Sequence, residues 1–273
     1  MLIIIFPDLN KKMKKIVLIG GSGYIGTVLT KRLLDDGFYV KNIDFHMYDN
    51  QIAIDDFLNN PNYEYEKKDF VIKNDISISN DADAVVLLGG LVGDPITKKY
   101  PKESSLINDR GVKNVIDVCS NLDIKNFIFI STCSNYGLIE NNDFANEEST
   151  LNPLSLYAES KVNAEKYILS LKDKTGMNPT ILRFATAFGL SPRMRFDLTI
   201  SEFTREIALG NDLLVYDAKT WRPYCHVEDF SSLILKVINA PDEKVAWEVF
   251  NAGGDKNNAT KENIVNQILK RIP

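Results

Sequence analysis

Short apolar runs alternate along this chain with longer stretches in which apolar positions recur every three or four residues. Ile16-Val17-Leu18-Ile19, after a basic lead, is apolar at every position, the pattern of a strand buried on both faces of a parallel sheet. A helix follows through about Asp36, then a second strand over 39–43. Further strands are predicted at 63–66, 84–88, 126–130 and 179–184, with a long helix over 102–122 and an amphipathic one over 155–171. Beyond Gly189 the pattern loosens into a helix at 198–209, short strands near 213–216 and 247–250, and helices at 229–239 and from about 261. This alternation predicts an α/β fold, a doubly wound parallel sheet with helices on both faces. In such folds the site lies at the carboxyl edge of the strands.

The first strand runs into Gly20-Gly21-Ser22-Gly23-Tyr24-Ile25-Gly26, a G-x-x-G-x-x-G spacing one residue longer than the commonest dinucleotide fingerprint. Gly20 suits the tight turn, Gly23 a close approach of backbone to a pyrophosphate, and Gly26 the packing of helix on strand. A glycine-rich loop can also be a plain turn. The second strand ends in Asp44, 24 residues beyond Gly20. An acid there hydrogen-bonds an adenosine ribose diol and repels a 2′-phosphate, which favours NAD over NADP.

Tyr157 and Lys161 stand four apart on the predicted helix 155–171 and so share a face. Free tyrosine titrates near pH ~10, too high for a base at neutrality. A cation about 6 Å away at an effective dielectric of ~20 supplies roughly 3 kcal/mol toward ionising it. A bound oxidised nicotinamide would add a second positive charge. The phenol can then take a proton from a sugar hydroxyl as hydride leaves, and return it on reduction. The same spacing also describes a solvated helix face; the glycine loop upstream weighs for chemistry.

Composition narrows the classes. A chain of 273 residues with 44% hydrophobic content can bury a large core in one domain or two. A net charge of −5 argues against nucleic acid as the main partner. No run of about eighteen apolar residues is present, so no membrane partner is expected. Cys119, Cys133 and Cys225 lack metal-ligand spacing and suit a reducing cytoplasm. Residues 1–12 read as a dispensable extension without the flank of a signal peptide, with Met13 as an alternative start.

With these motifs in order, the chain resembles the extended short-chain dehydrogenase/reductases, the NAD-dependent epimerase/dehydratase group acting on nucleotide sugars. The resemblance runs from about Lys14 to about Ile272 and adds Asp69, Leu87-Leu88-Gly89-Gly90, Asn108-x-x-Gly111 and Ser131-Thr132-Cys133-Ser134-Asn135-Tyr136-Gly137. Leu182-Arg183-Phe184 and Arg222-Pro223-Tyr224-Cys225-His226 follow. It implies an NAD-binding domain over 13–189 and a substrate lobe over 190–273, with helix 229–239 packing back on the former. It implies a homodimer, a nucleotide diphosphate sugar as substrate, and no metal. Cofactor contacts are implied for Gly20, Gly23, Tyr24, Ile25, Gly26, Asp44, Asp69, Leu88, Gly89, Gly90, Asn108, Ser131, Tyr157 and Lys161. Substrate contacts are implied for Thr132, Thr186, Arg193, Arg195 and Arg222, the arginines on the diphosphate. Arg193 or Arg195 could equally pair with Asp197 or Glu202.

Thr132 matches the family's third catalytic group, which relays the sugar proton toward Tyr157; a Thr here can also cap a turn. Family 4,6-dehydratases carry an Asp-Glu pair just after this Thr, where Cys133 and Ser134 stand. The 3,5-epimerising reductases use a Cys and a His. Cys133 is one position from that Cys, His226 reads as structural, and His46 reads as a surface residue. Plain hydride transfer, at C4, remains. Members continue for some tens of residues beyond helix 261–272 and add another arginine, so the lobe reads as shortened. A second reading, a non-catalytic NAD-binding or scaffold protein, is opposed by the intact Thr132, Tyr157 and Lys161.

Overall fold

The structure is a computed structural model that describes residues 13–49, 51–139 and 144–272. The proposed extension 1–12 lies outside the described residues. Seven parallel strands form the main sheet, in the order β3-β2-β1-β4-β5-β6-β9. In chain order these strands are β1 (Lys15–Ile19), β2 (Tyr39–Asp44), β3 (Tyr63–Lys67), β4 (Ala84–Leu87), β5 (Phe127–Thr132), β6 (Pro179–Phe184) and β9 (Glu248–Ala252). Between the last two lie β7 (Thr186–Phe188) and β8 (Trp221–His226), which with β10 (Asn258–Thr260) make a small second sheet.

Side chains alternate across the pleat, so each strand feeds two cores. On one face Ile16, Leu18, Val86, Ile128 and Leu182 meet Leu29 and Leu33 of helix α1 (Tyr24–Asp35) and residues such as Ile234 further along the chain. On the other, Val17, Ile19, Val85, Leu87 and Phe129 meet Val115 and Ile116 of α2 (Val112–Asn121) and Ile168 of α3 (Leu156–Ser170). This two-sided burial explains the unbroken apolar runs, since neither face of the central strands meets water. Helices α4 (Thr199–Ala208), α5 (Val227–Asn239) and α6 (Lys261–Leu269) complete the fold. Helix α5 lies against α1, and its Phe230 stacks on Phe184 with ring centroids 3.8 Å apart.

Three expectations change. The strand near 213–216 does not form: Leu214 and Tyr216 are 71% and 70% exposed, and no neighbouring strand satisfies their backbone. The helix over 102–122 is a short helix Pro101–Ser104, a π-helical segment Ser105–Gly111 and then α2. Wider turns of this kind are frequent at functional sites. His46 is buried rather than on the surface, stacked on Tyr65 at 4.7 Å with Nε2 2.8 Å from the Ser22 hydroxyl. A left-handed backbone, φ +55°, turns it inward.

Candidate active site

The glycine loop leaves β1 at Gly20, whose φ of +85° favours glycine. A Cβ there would stand 2.5 Å from the Gly89 Cα, so this loop and the β4 exit loop can touch only as bare backbone. At Gly26 a Cβ would strike the Gly21 carbonyl at 2.5 Å, which lets α1 start tight against the loop. At Gly23, which caps α1, a Cβ would meet only the Gly20 carbonyl, at 3.3 Å, and would otherwise fill the open space above the helix start. Tyr24, Ile25 and Gly26 form the first turn, where backbone N–H groups have no partner inside the helix and favour an anion. The Tyr24 phenol donates to the Gly189 carbonyl at 2.6 Å and ties the loop to the segment after β7.

At the end of β2, Asp44 accepts from the Ser22 and His46 backbone N–H groups at 3.0 and 2.8 Å. Each oxygen keeps a further lone pair for a ribose hydroxyl. Asn42 holds the same loop from inside: its Oδ1 accepts from Gly21 N at 3.0 Å, and its Nδ2 donates to Ser22 and Tyr63. Asn42 is not legible in the sequence, because an amide inside an apolar strand carries no motif. Asp69 accepts from Val71 N at 2.9 Å and shapes the turn after β3. After β4, Leu88 and Gly89 both donate backbone N–H to the Ile19 carbonyl, at 2.9 and 2.8 Å. Gly90 has a φ of +155° with a Cβ position 2.9 Å from the Asn108 Oδ1. Asn108 clamps that loop, exchanging 2.9 Å hydrogen bonds with both the N–H and the carbonyl of Leu91.

Thr132, Tyr157 and Lys161 come together where β5 ends against α3, each less than a tenth exposed. The Thr132 hydroxyl does cap the turn, accepting from Ser134 N at 3.2 Å, and it lies close enough to the Tyr157 phenol to pull its pKa down. Lys161 Nζ donates to the Ile130 carbonyl at 2.7 Å and stands 5.9 Å from the Tyr157 ring centre. Helix α3 is started by Ser155, whose hydroxyl accepts from Ala158 N at 3.3 Å and donates to Asp94 at 2.6 Å. Burial dominates the electrostatics, pushing the Tyr157 phenol up to about 12 while the Arg195 charge and the Thr132 hydrogen bond pull it back. Burial also pushes the Lys161 ammonium down to about 8, opposed by the Glu165 carboxylate. A lysine beside the tyrosine therefore does not by itself bring the phenol to neutrality.

Of the arginines, Arg195 donates to Asp197 and to the Val92 carbonyl, at 3.1 Å in both cases, so the ion pair weighed from the sequence is formed. Arg193 lies over the Tyr48 ring, 4.4 Å from its centre. Arg222 is exposed on β8, makes no ion pair among the described residues, and faces Cys133, whose thiol burial pushes up and Arg222 pulls down. Thr186 starts β7, in register with Tyr224. The Ser131 hydroxyl donates to Glu165, a buried acid to which the sequence reading assigned no role. His226 accepts from Glu228 N at 3.3 Å and caps α5.

Residues 16–253 match the model of the NAD dependent epimerase/dehydratase family. The chain belongs to that family. It is 27% identical over 260 residues to a Bacillus subtilis protein described as an uncharacterized UDP-glucose epimerase, YtcB, covering 88% of this chain and 77% of that one. Two solved structures share the fold: UDP-N-acetylglucosamine 4-epimerase from Methanobrevibacter ruminantium, and UDP-glucuronic acid 4-epimerase from Bacillus cereus in complex with UDP-glucuronic acid and NAD. The first has TM-score 0.80 and 23% identity over 93% of this chain and 81% of its own. The second has TM-score 0.82 and 22% identity over 94% and 82%. The family member described here fits NAD: the open cradle at Gly23, the helix start and Asp44 match a pyrophosphate and an unphosphorylated ribose. No helix among the described residues is long and apolar enough to cross a membrane.

Proposed function

We propose that the protein transfers hydride between NAD and C4 of a nucleotide-linked sugar, as an epimerase that retains its reduced cofactor or as a net dehydrogenase. The observation that carries this reading is the convergence of Thr132, Tyr157 and Lys161, each nearly buried, where β5 ends against α3. Bound NAD supplies the hydride acceptor. The Thr132 hydroxyl orients the sugar C4 oxygen and passes its proton to Tyr157. Lys161, protonated below about 8, faces the phenol and stabilises its ionised form. An ammonium roughly 6 Å from a phenolate attracts it by on the order of 3 kcal/mol, about two pH units. Arg195 adds a charge that persists at every working pH.

Cys133 and Ser134 offer no carboxylic acid for eliminating water, which leaves simple hydride transfer. The residues at 13–189 are assigned to cofactor binding, and those at 190–273 to the substrate lobe. Arg222, exposed and facing the site, is assigned to the substrate diphosphate, with Arg193 and Arg195 beside it. The epimerase names of the relatives support the C4 assignment. The test is to identify by mass and absorbance the nucleotide that copurifies, then incubate the protein with a panel of nucleotide sugars and resolve epimers and reduced cofactor. Bound NAD and C4 epimerisation or oxidation are expected. A protein that holds NAD yet converts none of the panel would overturn the reading.

A further inference from the structure

Two turns beyond Tyr157 on the same face of α3, Glu165 sits almost wholly buried. Its carboxylate gathers donors from two strands and a loop. The Arg183 guanidinium of β6 reaches it through Nη2 at 2.7 Å and Nε at 3.2 Å. From the β5 end, the Ser131 hydroxyl donates at 2.5 Å and the Asn135 amide at 2.7 Å. Arg183 also donates to the Tyr136 phenol at 2.9 Å, and Tyr136 in turn donates to Asn251 of β9 at 2.7 Å. The segment 131–136 that presents Thr132 is therefore fastened at both ends to this one ion pair. A buried pair persists when further hydrogen bonds satisfy its remaining lone pairs, as they do here.

Lys161 lies one turn from Glu165 on the same helix. From β5 Lys161 meets the Ile130 carbonyl and, at 4.7 Å, the Phe129 ring; neither carries charge. From its own helix it faces Tyr157 and Glu165, and the Arg183 cation stands behind Glu165. Arg195, Cys133 and Asp94 act on Tyr157 instead.

We propose that Glu165 is a positioning residue for the reaction: its carboxylate locks the Thr132 segment against α3 and supplies the negative charge that keeps Lys161 cationic. Such a role presupposes the proton chemistry proposed above. Burial alone pushes Lys161 down, and Glu165 opposes it. Without that charge Lys161 loses its proton closer to neutrality.

The test follows Lys161 by NMR in protein labelled with 13Cε-lysine, its signal assigned by its loss in Lys161→Arg. Three variants are titrated: Glu165→Gln, Glu165→Asp, and Glu165→Gln with Arg183→Met. The last removes both members of the ion pair, so that neither is left buried without the other, and guards against failure of the single variant to fold. The Lys161 midpoint is expected to fall by about one pH unit in Glu165→Gln, a tenfold change in proton affinity, to fall by less in the double variant, which also removes the Arg183 cation, and to return in Glu165→Asp. The alkaline limb of kcat/KM should move with it. A midpoint unchanged in a folded Gln variant would overturn the proposal, as would failure of both Gln variants to fold, which would make Glu165 a stability residue only. If the wild-type protein converts no nucleotide sugar, the C4 reading fails while the titration still decides the part Glu165 plays toward Lys161.

Discussion

Replacing Tyr157 by Phe separates chemistry from folding. The change removes one oxygen from a buried side chain and leaves the ring that packs beside Lys161. The phenol is raised to about 12 chiefly by burial, so the hydroxyl is desolvated in the folded protein and loses only its link to Thr132. One hydrogen bond contributes about 1 kcal/mol, and relief of the desolvation offsets part of it. In a chain of this length such a change moves Tm by roughly 2–4 °C. Loss of acid–base catalysis, in contrast, lowers turnover by roughly 10²–10⁴. That corresponds to about 3–5 kcal/mol of barrier, several times the effect on stability. The assays are initial rates on the converted nucleotide sugar, calorimetric titration with NAD, and a thermal melt. Turnover should collapse while NAD affinity and Tm stay close to wild type. Turnover within about tenfold of wild type, with NAD bound, would show that the proton goes elsewhere and refute the assignment.

Three further outcomes are expected. Asp44→Ala should narrow a preference for NAD over NADP that is at least ~1.4 kcal/mol in wild type, and should also weaken NAD itself because Ser22 and His46 lose their acceptor; equal affinities in wild type would sink the role of Asp44. Arg222→Ala should raise KM for a nucleotide sugar at least tenfold without changing NAD affinity, consistent with ~1.5–3 kcal/mol for a charge-assisted bond; an unchanged KM would move the diphosphate elsewhere. The third concerns pH: activity should decline above about 8 as Lys161 loses its proton. For stability the sign is the reverse, because the folded value lies below the unfolded ~10.4. The burial penalty is full below about 8 and fades as pH rises toward the unfolded value. Lys161→Met should therefore lose up to roughly 3 kcal/mol of its stability relative to wild type between pH 7 and 10.5, read from denaturant melts; a constant difference would contradict the shift.

Local signals in the sequence determined most of the sheet and the outline of the site. Apolar runs with no polar face announce strands buried on both sides, and β1 to β6 lie within a residue or two of their predicted bounds. The glycine loop, Asp44 and the Tyr157–Lys161 spacing were legible because each rests on short-range geometry: a turn, a strand end, one helix face. What the chain could not show locally is which polar side chains the packed structure uses up. Asn42 behind the glycine loop, and Glu165 with Arg183 behind the Thr132 segment, act as scaffolds only because distant strands and α3 bring their partners to them. His46 looked like a surface residue until the backbone turned it inward, and Arg195 met its acid only when its loop folded. The segment 213–216 has strand composition, yet no edge lies beside it to pair with, so it stays irregular. Burial likewise set the charges: spacing alone promised a lowered phenol, whereas the dry interior raised Tyr157 and lowered Lys161. Desolvation depends on everything that surrounds a group, and only the tertiary structure assembles those surroundings.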